Sequence, residues 1–178
     1  MRTSDADAHF ARLYAEHYGM VRQLCLGYCR GDDSRAGDLA QETFLQVWRY
    51  LGRFAGEAAA KTWIYRIAVN VCLGDVRHRH ARPDLGAATA PHALRHLAAE
   101  PAARPAADDP DPRHRALYRA LGELAEVDRL VLVLQLEGLD YSEIATVTEL
   151  DRGHVRVRAH RARKRLRSLL TTPKSSTR

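Results

Sequence analysis

The amino-acid sequence predicts an all-α protein: two helical domains joined by a flexible linker. Three observations carry that expectation. Ala, Leu and Arg dominate the 178 residues while aromatic side chains make up only 7%, a composition of helix formers rather than strand formers. Apolar residues recur at three- and four-residue steps on both sides of the chain's middle, the period of a helix with one buried face. Six of the seven prolines fall between residues 83 and 112, where they remove backbone donors and forbid helix interiors. The sequence thus divides into a lobe over 8–82, a linker over 83–112, a second lobe over 113–170 and a tail over 171–178. A short helical piece around His92–Glu100 is expected inside the linker. With 46% apolar residues, the chain can build packed cores.

In the first lobe, Phe10, Leu13, Tyr14, His17, Tyr18, Val21, Leu24, Cys25 and Tyr28 form one face of an amphipathic helix. The GDDSR turn ends it, and Asp33 or Ser34 can cap the next helix. That helix runs to about Leu51, with Leu39, Phe44, Val47, Trp48 and Leu51 inward. Asp38, Gln41, Glu42 and Arg49 are left facing solvent. A loop, RFAGEAAA, precedes a third helix through Trp63, Ile64, Ile67, Val71 and Val76.

The second lobe reads as four helices. One covers about 113–124 and a second 127–137, the latter stopped by Gly138. Its LVLVLQL run fits a buried strand by period alone, but charged helix formers flank it and no partner strand exists. Asp140 caps a short third helix, with Glu143 at capping-box spacing, and Asp151 caps the last, which runs to about Leu170.

Residues 140–163, DYSEIATVTELDRGHVRVRAHRAR, have the form of a helix-turn-helix. The two caps stand eleven residues apart, which leaves room only for a short helix and a tight turn. Small Ala145 permits close approach, and Ile144, Val147, Leu150 and Val155 are spaced to fill the angle. The start of the last helix offers Arg152, His154 and Arg156, the end that enters a major groove in this motif. Seven basic residues and no acid follow between Arg156 and Arg167. Such a helix gains from phosphate contacts and released counterions, although an ordinary solvated basic face would have the same composition.

The charge distribution agrees. Residues 1–80 carry 11 basic against 9 acidic residues, 81–112 carry 3 against 5, and 113–178 carry 14 against 8. The net charge of +6 therefore belongs to the last third, as expected where a protein meets a polyanion. Cys25, Cys29 and Cys72 cannot all pair, which argues against a disulfide framework. Cys25 and Cys29 share a helix face, and two buried thiols are expected there rather than zinc. The start MRTSDADAHF lacks the order of a signal peptide, and the longest apolar stretch is too short to span a bilayer. A cytoplasmic protein is expected. No phosphate-cradling loop, nucleophile elbow or metal-protease pair is present, so neither enzyme activity, nor a cofactor, nor a metal is expected.

DLAQETFLQVWRYLGRF (38–54), TWIYRIAVNVCLGDVRHRHAR (62–82) and LEGLDYSEIATV (136–147) resemble the extracytoplasmic-function sigma factors of RNA polymerase. The first two segments are similar to region 2 of that family and the third to region 4, in the family's order. The resemblance implies a promoter-directing function and assigns roles. Asp38, Gln41 and Glu42 fall on the face that binds the β′ clamp coiled coil of core polymerase, and region 4 implies contact with the β flap. Phe54, Gly56 and Glu57 lie in the loop that captures a flipped base of the −10 element. Trp63 and Asn70 match residues supporting promoter melting, while Lys61, Arg66 and Arg77 supply charge beside them. Arg152, His154, Arg156, Arg158 and Arg161 lie on the helix that reads the −35 element. The linker matches the segment that threads toward the RNA exit channel, and an anti-sigma protein restrains many members.

The chain departs from the family pattern in three places. Leu124–Ala125 stands where the family usually has Leu-Pro. Glu149 occupies a turn position that is commonly glycine and that calls for positive φ. Gly153–His154–Val155–Arg156–Val157 replaces Gly-Thr-Val-Lys-Ser. Two rival readings exist: a conventional helix-turn-helix regulator working without core polymerase, and a helical adaptor with a basic nucleic-acid-binding tail.

Overall fold

The computed structural model describes residues 3–54, 60–81 and 111–171, with side chains over 5–54, 60–75 and 111–171. Among them stand seven α-helices and no strand. They are α1 (Thr3–Tyr28), α2 (Asp33–Tyr50), α3 (Ala60–Ala81), α4 (Pro112–Gly122), α5 (Glu126–Leu136), α6 (Tyr141–Thr148) and α7 (Arg152–Thr171), with a short 3-10 turn at Leu51–Arg53. The helical piece expected at His92–Glu100 lies outside the described residues.

The first two helices bury the face their periodicity announces, whereas α3 buries Ile64, Tyr65, Ala68, Val69 and Cys72 and leaves the expected Trp63, Ile67 and Val71 only partly buried, with the side chain of Val76 outside the described residues. Phe10, Leu13, Val21, Leu24, Cys25 and Tyr28 of α1 are buried, as are Leu39, Phe44, Val47 and Leu51. Tyr14, Tyr18 and Trp48 lie partly buried around Phe10 and Phe44. Arg30 and Gly31 both take positive φ, 64° and 83°, and turn the chain into α2. The cap of α2 is Asp32, not Asp33 or Ser34: its side chain accepts from the Arg35 amide at 3.1 Å. Asp33 is instead the first helical residue and pairs with Arg22 at 2.7 Å. Three consecutive polar residues compete for that position, and only the backbone decides which is half outside the helix.

In the second lobe, Gly138 takes φ 86° just beyond α5. Asp140 and Glu143 form the expected capping box, at 2.8 Å from the Glu143 amide to Asp140 and 2.8 Å from the Asp140 amide to Glu143. Asp151 accepts from the amides of Gly153 and His154 at 2.7 and 3.2 Å. Between the two helices Glu149 sits in the left-handed region, φ 57° and ψ 24°, the conformation the missing glycine would favour. Ala125, standing where a proline is usual, begins α5 with no side-chain cap.

The two lobes share one core. α1 packs on α5 and α4, α3 packs on α6, and the buried side chains of both lobes form a single cluster. Two glycines permit the approach. A Cβ on Gly27 would lie 2.9 Å from both methyl carbons of Val133, and one on Gly31 would lie 2.8 Å from the Tyr118 ring. Arg129, only 3% exposed, closes the seam. Its guanidinium donates to Tyr28 O at 3.0 Å across the seam, and to Leu121 O and Leu124 O at 2.9 Å within its own lobe. Tyr28 ends α1 and Leu121 sits in the last turn of α4, so Arg129 reaches carbonyls at the ends of two helices, where the regular helical hydrogen-bond ladder stops. Burial, reinforced by Arg30, pulls the guanidinium below its ordinary value. The carbonyls around it stabilise the cation that desolvation penalises.

The three cysteines are buried free thiols. Burial pushes Cys29 up to about 12, and a hydrogen bond to Cys25 together with burial raises Cys72 well above its usual value. Among the described residues no helix is long and apolar enough to cross a membrane.

Candidate polymerase and promoter interfaces

Three surfaces carry the residues singled out by sequence. The first is the outer face of α2. Asp38 and Gln41 are exposed and Glu42 is half-buried, accepting from the Gln46 side chain at 2.7 Å. The opposite face, Ala36, Leu39, Ala40, Thr43, Phe44 and Val47, is buried, so packing fixes which way the polar face points. Beside it, α2 and α3 enclose a groove of about 560 Å³ whose lining includes Glu42, Gln46, Tyr50, Ile67 and Asn70. Asn70 thus stands with Glu42. One wall of this groove is tied down by an ion pair between Arg35 and Asp75.

The second surface is the start of α3. Phe54 and Trp63 stack on each other, ring centroids 4.6 Å apart and 28° from parallel, and both are half-buried. Lys61 and Arg66 are exposed on the same helix, yet both face the second lobe. Arg66 forks onto Glu149 in the helix-turn-helix turn through Nε at 3.1 Å and through Nη2. Lys61 lies near Glu137, whose carboxyl is raised by burial and held down in part by that lysine. Gly56 and Glu57 lie outside the described residues. Arg77 is on α3, but its side chain lies outside them too.

The third surface is the helix-turn-helix. α7 enters with buried Val155, Ala159 and Ala162 against Ile144 and Val147 of α6. Its outer side borders a concavity of about 830 Å³ lined by Arg152, Gly153, Arg156, Val157, His160 and Arg161, together with Arg163 and Tyr141. Among the described residues no hydrogen bond or ion pair engages Arg152, Arg156 or Arg161. Arg158 turns the other way and pairs with Asp128 of α5 at 2.6 Å, and His154 is exposed but does not line the concavity. Residues the sequence reading did not single out complete the surface. Arg163 donates to the Tyr141 hydroxyl at 2.9 Å, which fixes one cation at the rim. The basic run contained the signal for Arg163; Tyr141 gave none.

An acidic helix face, a stacked aromatic pair and a helix-turn-helix with unengaged arginines fit a protein that meets both a protein partner and DNA. Comparison with known proteins says which. Residues 13–82 match Sigma-70 region 2 and residues 114–166 match Sigma-70, region 4. The chain is 36% identical to the RNA polymerase sigma-H factor of Pseudomonas aeruginosa over 141 residues, covering 74% of this chain and 71% of that one. It is 35% identical to the RNA polymerase sigma factor CarQ of Myxococcus xanthus, over 90% of this chain and 88% of that one. It is 32% identical to the ECF RNA polymerase sigma-E factor of Escherichia coli, over 86% and 82%. Among solved structures, CnrH in complex with the cytosolic domain of CnrY is similar, with a TM-score of 0.64, 25% identity and coverage of 94% and 93%. RpoE from Bartonella quintana, in complex with the anti-sigma factor NepR, shares the fold with a TM-score of 0.68, 22% identity and coverage of 93% and 99%.

The chain belongs to the sigma-70 family of RNA polymerase sigma factors, in its extracytoplasmic-function class. It binds core RNA polymerase and promoter DNA and directs transcription initiation; sigma factors are non-enzymatic initiation factors, and the rival readings are not favoured.

Proposed function

We propose that the three surfaces divide the work of a sigma factor among themselves. Asp38, Gln41 and Glu42 dock on the β′ clamp coiled coil, with the second lobe on the β flap. The start of α3 handles the −10 element: Phe54 and Trp63 offer flat faces for unstacked bases, and Gly56 and Glu57 belong to the loop that captures one. Lys61 and Arg66 there, and Asn70 and Arg77 farther along α3, support melting. Arg152, His154, Arg156 and Arg161 of α7 meet the −35 element, with Arg158 joining them on release from Asp128. The protein acts in the cytoplasm, without cofactor or metal, and RNA synthesis belongs to the polymerase. The domain division is 8–82 and 113–170, with 83–112 as linker.

The observation that best supports this division is the concavity along α7, where arginines stand exposed and unengaged at the end that a helix-turn-helix presents to a major groove. Size adds a requirement. A compact chain of this length is about 40 Å across. Elements about 25 base pairs apart are about 85 Å apart on B-DNA. The closed seam is therefore incompatible with reading both at once, and the lobes separate on the promoter. Opening also frees Lys61 and Arg66 from the carboxylates they face. An anti-sigma partner that holds the lobes together would restrain the protein.

Replacing Asp38 and Glu42 together by Arg tests the assignment. Core binding in a pull-down should be lost while the helical spectrum and the duplex affinity of the isolated protein stay unchanged. Full core affinity in that variant would sink the proposed docking face.

A further inference from the structure

Around the groove of α7 the exposed side chains are arginines and His160, with one exception. Val157 is 55% exposed and lines the concavity between Arg156 and Arg161. Helical spacing sets Gly153, Val157 and Arg161 in one row and Arg152, Arg156 and His160 in the row beside it. Gly153 has no side chain, so Val157 is the first group to project from its row beyond the N-terminus of the helix. That is the end a helix-turn-helix inserts deepest.

The arginines around it are long enough to reach either phosphates or base edges. Valine is short, and β-branching holds it to essentially one rotamer in a helix, so it can contact only what the backbone brings near. An isopropyl group has no hydrogen-bonding capacity. Pressed against the edge of guanine, cytosine or adenine, it would strip water from donors or acceptors and leave them unmet. The apolar group on a major-groove edge is the 5-methyl of thymine. The family pattern has serine here, which can bond to any base edge; Val157 removes that option and substitutes shape.

We propose that Val157 is a specificity-determining residue that selects a thymine in the upstream promoter element by packing on its 5-methyl group. The inference rests on the assignment of α7 to that element. Arg152, Arg156 and Arg161 supply attraction and register, whereas Val157 rejects the other bases at one position.

The test uses holoenzyme reconstituted with core polymerase and a promoter it initiates from. Each thymine of the upstream element, on either strand, is replaced in turn by deoxyuridine, which keeps the base pair and removes only the methyl. One position should lose affinity about three- to tenfold, the value of one buried methyl contact. With V157A holoenzyme, thymine and deoxyuridine at that position should bind alike, with other positions unchanged. Val157 is exposed and alanine is the better helix former, so the variant retains the fold. Indifference of the parent holoenzyme to every methyl, or the same discrimination in V157A, would overturn the proposal. If the upstream footprint forms without methyl dependence, Val157 alone is wrong. If α7 variants such as R156A leave no trace on the upstream footprint, the assignment of α7 falls and takes Val157 with it.

Discussion

Three arginines of the first lobe and three along α7 of the second are held in opposite ways. Arg22, Arg35 and Arg66 each pair with a carboxylate, and Lys61 lies beside Glu137. Arg152, Arg156 and Arg161 stand exposed around an open groove, with no partner among the described residues. The first set, with Lys61, has its positive charge balanced within the folded chain, and two of the balancing acids, Glu137 and Glu149, come from the other lobe. The second set keeps its charge available for a polyanion, whereas Arg158 on the same helix is paired with Asp128. Position in sequence does not separate the two cases, since Arg66 and Arg156 are equally plausible nucleic-acid contacts on composition. Packing separates them: the seam places α3 against α6, so basic residues at the start of α3 meet carboxylates before they meet DNA.

Breaking the seam is the largest test of that contrast. Arg129→Met keeps the volume and removes the guanidinium, and with it the side-chain donors that reach the carbonyls of Tyr28, Leu121 and Leu124 across and beside the seam. A loss of about 2–5 kcal/mol in unfolding free energy is expected by urea titration. A loss below about 1 kcal/mol would mean that the seam contributes little. Arg156→Ala acts on the other side of the comparison. Each base contact it makes should cost about 1–3 kcal/mol of upstream-element affinity, with no change in stability. An unchanged footprint would remove Arg156 from the interface.

Glu149→Gly sharpens the comparison because it relieves the left-handed backbone and releases Arg66 together. Relief of strain is worth about 1 kcal/mol, and the exposed pair about 0–1 kcal/mol, so net stability should change by less than about 1 kcal/mol. Glu149→Gln keeps the strain and removes the charge, and the difference between the two variants in thermal melts isolates the backbone contribution. The smallest effect belongs to Glu137. Burial raises its carboxyl, so the folded state holds that proton more tightly than the unfolded chain does. Its contribution to stability is therefore present below the usual carboxylate range and lost as pH rises through its raised value. Glu137→Gln should melt higher than the parent at neutral pH and converge with it at acid pH. A parent that melts higher than Glu137→Gln at neutral pH would instead assign Glu137 to a net favourable pair with Lys61.

Much of this was legible in the sequence, and the exceptions share a cause. Periodicity gave the helices, and side chains with local capping chemistry gave Asp140, Glu143 and Asp151 their roles, because each acts on amides two or three residues away. Glu149 was marked by the absence of glycine and does take positive φ. Asp32 was missed because its neighbours Asp33 and Ser34 have the same capping chemistry. Arg129 reads as an ordinary surface residue early in an amphipathic helix, and its burial depends on Tyr28, about one hundred residues away in sequence. The seam has no periodic signature, since Gly27 matters only opposite Val133 and Gly31 only opposite Tyr118. Arg158 sits in the same basic run as Arg156, and only Asp128 on another helix draws it aside. Local chemistry is written in local sequence, while the pairing of distant elements decides which of several equivalent cations remains available.

The central claim is best tested by run-off transcription on a library of genomic promoters with purified core polymerase, with and without this protein. Initiation is expected from a defined subset of promoters sharing two elements, abolished when Asp38 and Glu42 are both replaced by Arg. Initiation that is independent of the protein, or that survives the double charge reversal undiminished, would contradict it.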